Sequence, residues 1–158
     1  MSAGDPARMR EAIALALEGV RSGAGGPFGA LVVRDGRVLG RGCNRVTSAN
    51  DPTAHAEIVA IRQACAAAGS FALEGAELYT SCEPCPMCLG AIWWARIARV
   101  FHAGTRADAA AAGFDDAALY AEVARPLAAR ALPLVPLLRE EAQAAFAAWG
   151  GKADRVAY

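Results

Sequence analysis

His55-Ala56-Glu57 and, further on, Pro84-Cys85-Pro86-Met87-Cys88 bring together one imidazole, two thiolates and a carboxylate. Imidazole nitrogen and thiolate sulfur are donors that zinc prefers. Structural zinc sites close with four protein ligands, whereas catalytic ones use three and keep a position for water. His55, Cys85 and Cys88 make three. Zinc lowers the pKa of bound water from 15.7 to about 7, so the chemistry to expect is hydrolysis by a zinc-bound hydroxide. Glu57 then serves as proton shuttle, with His55 already in the metal-facing position. A lone Cys-x-x-Cys would fit a structural zinc knot better. The non-enzymatic alternative is accordingly a zinc-stabilised binding module with Glu57 merely solvated, but the combined motifs favour catalysis.

The other three cysteines are read differently. Cys43 and Cys65 are expected to pack as small apolar residues. Cys82 stands three residues before Cys85 and could compete for the ion, but a helix opening at Pro84 leaves it outside the turn. His102, in an expected strand away from both motifs, is read as structural.

The ligands must be positioned by a folded frame. The chain has 158 residues, 55% hydrophobic and 20% charged, enough for one domain (1–158) with a sizeable core. Sixteen basic and sixteen acidic residues give a net charge of zero. A protein that grips a long nucleic acid usually shows a basic surplus, so no nucleic-acid partner is expected. The N-terminus carries Asp5, Arg8 and Arg10 without a signal-like apolar core. No run of about 18 apolar residues suggests a membrane span. The cytoplasm is the expected location, where clustered cysteines stay reduced and bind metal.

Helical periodicity over residues 9–20 ends at the glycines of 23–26. Residues 28–40 predict two strands turned at Asp35-Gly36, a strong hairpin signal. Asp51 as N-cap and Pro52 at the first helical position predict a helix running to residue 68 and stopping at Gly69. Residues 77–81 predict a strand, Pro84 opens a helix over 85–95, and 100–104 predict another strand. A short helix over 116–122, an apolar strand over 132–137 and a helix over 140–149 complete an α/β pattern. The expectation is five strands in one sheet with helices on both faces. Both ligand segments would begin helices, whose dipoles favour thiolate.

His-x-Glu with Pro-Cys-x-x-Cys is also the pattern of zinc deaminases acting on nucleobases. Several further segments carry a resemblance over nearly the whole chain: Gly26-Pro27-Phe28-Gly29-Ala30, Asn50 to Glu57, Tyr79 to Ile92, Trp94-Ala95-Arg96, Ala112-Gly113-Phe114-Asp115-Asp116, and a terminal Tyr158. The chain resembles the cytidine deaminase superfamily and, within it, the bacterial guanine deaminases most closely. The Gly-Phe-Asp-Asp segment and the terminal tyrosine are the discriminating pieces.

This resemblance implies a three-layer α-β-α fold with a central five-stranded mixed sheet, one Zn2+ per subunit, and hydrolysis of guanine to xanthine and ammonia. By position, it implies that Asn44 hydrogen-bonds the base, Phe28 stacks on it and Trp94 lines the pocket. Asp116, or its neighbour Asp115, would bind the 2-amino edge and move protons alongside Glu57. Tyr158 would close over the substrate from a C-terminal segment exchanged within a homodimer. Rival readings are a transfer-RNA adenosine deaminase, which shares the metal motifs, and a deaminase of cytosine, guanosine or ammeline.

Overall fold

The Asp35-Gly36 hairpin organises the sheet. Both residues have positive φ (52° and 72°), the requirement of a tight turn whose twist matches its strands. It joins β1 (Gly29–Arg34) to β2 (Arg37–Cys43). The computed structural model describes residues 3–158, which fall into two units, one up to Asp116 and one from Ala117 to Tyr158.

The first unit holds α1 (Pro6–Arg21), the hairpin, α2 (Val46–Ala49), α3 (Ala56–Ala68), β3 (Glu77–Cys82), α4 (Pro86–Trp94), β4 (Arg99–Gly104) and α5 (Arg106–Ala111). Its sheet order is β2-β1-β3-β4. β1 is antiparallel to β2 and β3, whereas β3 and β4 are parallel. The sheet is therefore mixed, and helices cover both of its faces. Ala30 and Val32 of β1 pack with Ala56, Ala60 and Ile61 of α3 and Ile92 of α4. Leu31 and Val33 point the other way, onto Ala12 of α1 and Tyr79. A strand buried on both faces reads as a continuous apolar run, as Ala30-Leu31-Val32-Val33 does.

Helix α3 lies unusually close to β2. A Cβ on Gly40 would stand 2.2 Å from the Ala60 carbonyl oxygen, and one on Gly42 the same distance from that of Ala56. No side chain fits there, so these two glycines set the depth at which α3 sits.

The second unit contains α6 (Ala117–Ala124), a 3-10 turn (Leu127–Ala129) and α7 (Arg139–Gly151). The expected strand over 132–137 is not formed, and the sheet has four strands among the described residues instead of five. Pro133 and Pro136 explain the difference, since each lacks the N–H that a ladder needs. Among the described residues, no helix is long and apolar enough to cross a membrane.

Candidate metal centre and active site

His55 is the N-cap of α3 and Cys85 the N-cap of α4, both with extended backbone (φ −65°, ψ 155° and φ −69°, ψ 169°). These starts differ from the expected ones. Asp51 does not cap α3; its Oδ1 accepts from Thr53 N at 2.8 Å and Thr53 Oγ1 at 2.7 Å. That local turn consumes the carboxylate and delays the helix to Ala56. Pro86, not Pro84, takes the first helical position of α4. An extended cap residue throws its side chain ahead of the helix, and here two such residues converge.

The convergence has the dimensions of a metal site. His55 Nδ1 lies 3.6 Å from Cys85 Sγ and 3.5 Å from Cys88 Sγ, and the three donor atoms lie within 4.8 Å of one another. A tetrahedral centre with Zn–S about 2.3 Å and Zn–N about 2.0–2.1 Å has S···N edges of roughly 3.5–3.6 Å. The donor set fits zinc in type and spacing. Cys82 is not part of it: its buried thiol donates to the Thr105 carbonyl at 3.4 Å.

Electrostatics agree. A hydrogen bond from Cys88 lowers the Cys85 pKa to about 4, helped by His55 and opposed by burial. Cys88 is pushed the other way, first by that same bond and then by burial and the nearby Glu57. His55 is raised by its bond to Cys85. Two sulfurs and an imidazole thus compete for protons at close range, where a divalent cation would answer all three at once.

Glu57 sits one turn into α3 and is 6% exposed. Its Oε1 accepts from Thr80 Oγ1 at 3.3 Å, and its Oε2 from the Cys88 thiol at 3.4 Å. Burial is the main reason its pKa is raised, which suits a carboxyl that must both take and give a proton. Thr80, in β3 and 1% exposed, was not legible from motifs. Only the fold brings it to Glu57.

These groups open onto a cavity of about 450 Å³ whose wall includes Phe28, Asn44, His55, Glu57, Cys85 and Asp116. Asn44 Oδ1 accepts from Gly26 N and Val46 N, each at 3.2 Å, which leaves its NH2 as the group to offer a ligand. Phe28 meets Phe114 edge to face, with centroids 5.0 Å apart, and Phe114 lines the cavity as well. Both Asp115 and Asp116 reach the wall, together with Glu83 and Arg106. Trp94, the last residue of α4, is 57% exposed and is not among the lining residues; the Arg96 guanidinium stands 5.8 Å from its ring. Tyr158 is 73% exposed in the second unit. His102 is exposed, with Nδ1 3.0 Å from the Gly104 carbonyl.

Residues 3–103 match the cytidine and deoxycytidylate deaminase zinc-binding region. The guanine deaminase of Bacillus subtilis (strain 168) is 50% identical over 95% of this chain and 96% of its own length. A crystal structure of guanine deaminase from Bacillus subtilis superposes with a TM-score of 0.95 at 48% identity, covering 99% of each chain. A tRNA-specific adenosine deaminase of Agrobacterium fabrum is 54% identical over 48% of this chain and 50% of its own. The chain belongs to the zinc-binding cytidine and deoxycytidylate deaminase family, and it is a zinc-dependent hydrolase.

Proposed function

We propose that this chain hydrolyses guanine to xanthine and ammonia. The observation that carries the reading is Glu57, a buried carboxyl braced by Thr80 in the lining that also presents three zinc-type donors. His55, Cys85 and Cys88 would hold the zinc, which would supply a water acidic enough to act as nucleophile at neutral pH. Glu57 takes the water's proton and passes it to the ring nitrogen as oxygen bonds to the carbon bearing the 2-amino group. Glu57 then carries the second proton to the amine. The C–N bond breaks, ammonia leaves, and the carbon keeps the oxygen as a carbonyl.

Phe28 stacks on the purine, and Asn44 donates from its NH2 to a ring acceptor. Asp116 accepts from the 2-amino edge and assists the proton transfers. Guanine is favoured by the near full-length similarity to a guanine deaminase, whereas the similarity to the Agrobacterium tRNA-specific enzyme spans about half the chain. The zero net charge also favours a small purine over a transfer RNA.

The working unit is a homodimer in which residues 1–158 act as one domain and the C-terminal segments exchange, bringing Trp94 and Tyr158 to a pocket. Support comes from the second unit, where Leu132, Val135, Leu137 and Phe146 are each at least 70% exposed. So much apolar surface calls for a partner. The cytoplasm is the proposed location, since five free cysteines suit a reducing compartment.

The test is ammonia release from guanine, guanosine, adenine, cytosine and ammeline, with xanthine formed from guanine alone as the expected result. Glu57→Gln should remain folded and zinc-loaded while turnover falls about 10²–10⁴-fold. Turnover from another substrate at equal efficiency would overturn the guanine reading. Full activity in the Gln variant would remove Glu57 from the mechanism. Sedimentation of a monomer at assay concentration would overturn the dimer.

A further inference from the structure

Among the described residues lining the cavity, Arg106 is the sole arginine or lysine, facing four carboxyl groups: Glu57, Glu83, Asp115 and Asp116. The metal does not offset these charges. A divalent ion bound by two thiolates and a neutral imidazole makes a centre of zero net charge. Any lasting positive field at the cavity wall has to come from elsewhere, and Arg106 is the group placed to supply it.

Its placement is braced on several sides. The backbone N–H of Arg106 donates to Glu83 Oε2 at 3.1 Å, and Glu83 N donates to the Gly104 carbonyl at 2.9 Å. Thr105 and Asp108 form a reciprocal capping box around the start of α5. The Thr105 carbonyl accepts from the Cys82 thiol. Arg106 is therefore tied to the strand end that leads into Cys85, and it lines the same cavity as Asp116.

We infer that Arg106 is a positioning residue of this site, holding Asp116 as an ionised acceptor toward the base without itself touching the reacting atoms. The inference rests on the role proposed above for Asp116. The charged and titratable groups around Asp116 compete. Burial raises its pKa, the Cys85 thiolate adds to this where no metal offsets its charge, its own backbone amide and Arg106 pull it down, and Asp115 pushes it up. His55, Glu57 and Glu83 also line the cavity and complete the set. Arg106 is the side chain in that set with a fixed positive charge.

The test uses zinc-loaded full-length protein with ¹³C-labelled aspartate, the Asp116 carboxyl signal being assigned by its loss in Asp116→Asn. In Arg106→Gln the Asp116 midpoint is expected to rise by about half to one pH unit, a small effect because Arg106 is exposed and Asp116 only partly buried. The acidic limb of kcat/KM should follow it, and Arg106→Lys should return both near the parent values. Zinc content and circular dichroism identify any variant that fails to fold, and the Lys variant then carries the comparison. An unmoved midpoint in Arg106→Gln overturns the inference even where Asp116→Asn is inactive. Full turnover in Asp116→Asn overturns the parent reading, and the inference with it, even where the midpoint moves.

Discussion

Replacing Thr80 by valine removes one hydroxyl and nearly nothing else. The side chain is 1% exposed, and its Oγ1 donates to Glu57 Oε1 at 3.3 Å. Hydrogen bonds to charged groups contribute about 1.5–3 kcal/mol. At 3.3 Å this one is beyond the usual range for O–H···O, so the lower end applies, about 1–1.5 kcal/mol. At 1.36 kcal/mol per tenfold, that is roughly a five- to tenfold loss. The sign follows from what the bond favours. A donated hydrogen bond stabilises the carboxylate over the carboxylic acid, so its loss moves the Glu57 pKa further up, in the direction burial has already taken it. The acidic limb of kcat/KM should therefore shift to higher pH by about 0.7–1 unit, with Thr80→Ser restoring it. The assay is a pH profile of guanine turnover on zinc-loaded protein. A purely structural Thr80 would lower the melting temperature and leave the limb in place. A Thr80→Val profile that superimposes on the parent in both height and position would refute the argument.

Other perturbations give equally definite outcomes. Gly42→Ala should destabilise by about 1–3 kcal/mol in denaturant titration, because the new methyl meets the Ala56 carbonyl oxygen at 2.2 Å. It should also loosen zinc, measured by chelator competition, since Ala56 adjoins His55. Phe114→Ala should raise KM for guanine up to about tenfold with less effect on kcat, as the edge-to-face partner of Phe28 is worth about 0.5–1.5 kcal/mol. In metal-stripped protein at pH 6, iodoacetamide should modify Cys85 first, because its pKa is near 4 while burial raises those of Cys65 and Cys82. Peptide mass spectrometry reads the order, and prior labelling of Cys65 would contradict it.

Local rules carried the reading of the chain where local forces decide. The Asp35-Gly36 turn and the Gly69 helix stop both hold, and all three residues have positive φ. The metal triad was legible because donor chemistry is written in residue type and spacing. Helix starts were less so. Asp51 had two uses for one carboxylate, and the turn to Thr53 won over the cap. Pro84 and Pro86 flank Cys85, and only the fold decides which one begins α4. The strand expected over 132–137 met two prolines, whose missing donors outweigh apolar content. Helix α5 was overlooked although Thr105-x-x-Asp108 is a capping signature. The wall formed by Glu83 and Arg106 was out of reach for a different reason. It depends on Cys82 pairing with Gly104 across parallel strands, which no short window of sequence contains.

The two bare glycines of β2 bear on how the protein meets its metal. Because Gly40 and Gly42 seat α3 against the sheet, the height of the imidazole is dictated by backbone contact, and not by anything the ion contributes. Small zinc domains that fold only around their metal behave otherwise. Here chelation should empty the site and leave the circular dichroism of the sheet intact, so that zinc can be lost and regained by a protein that never unfolds.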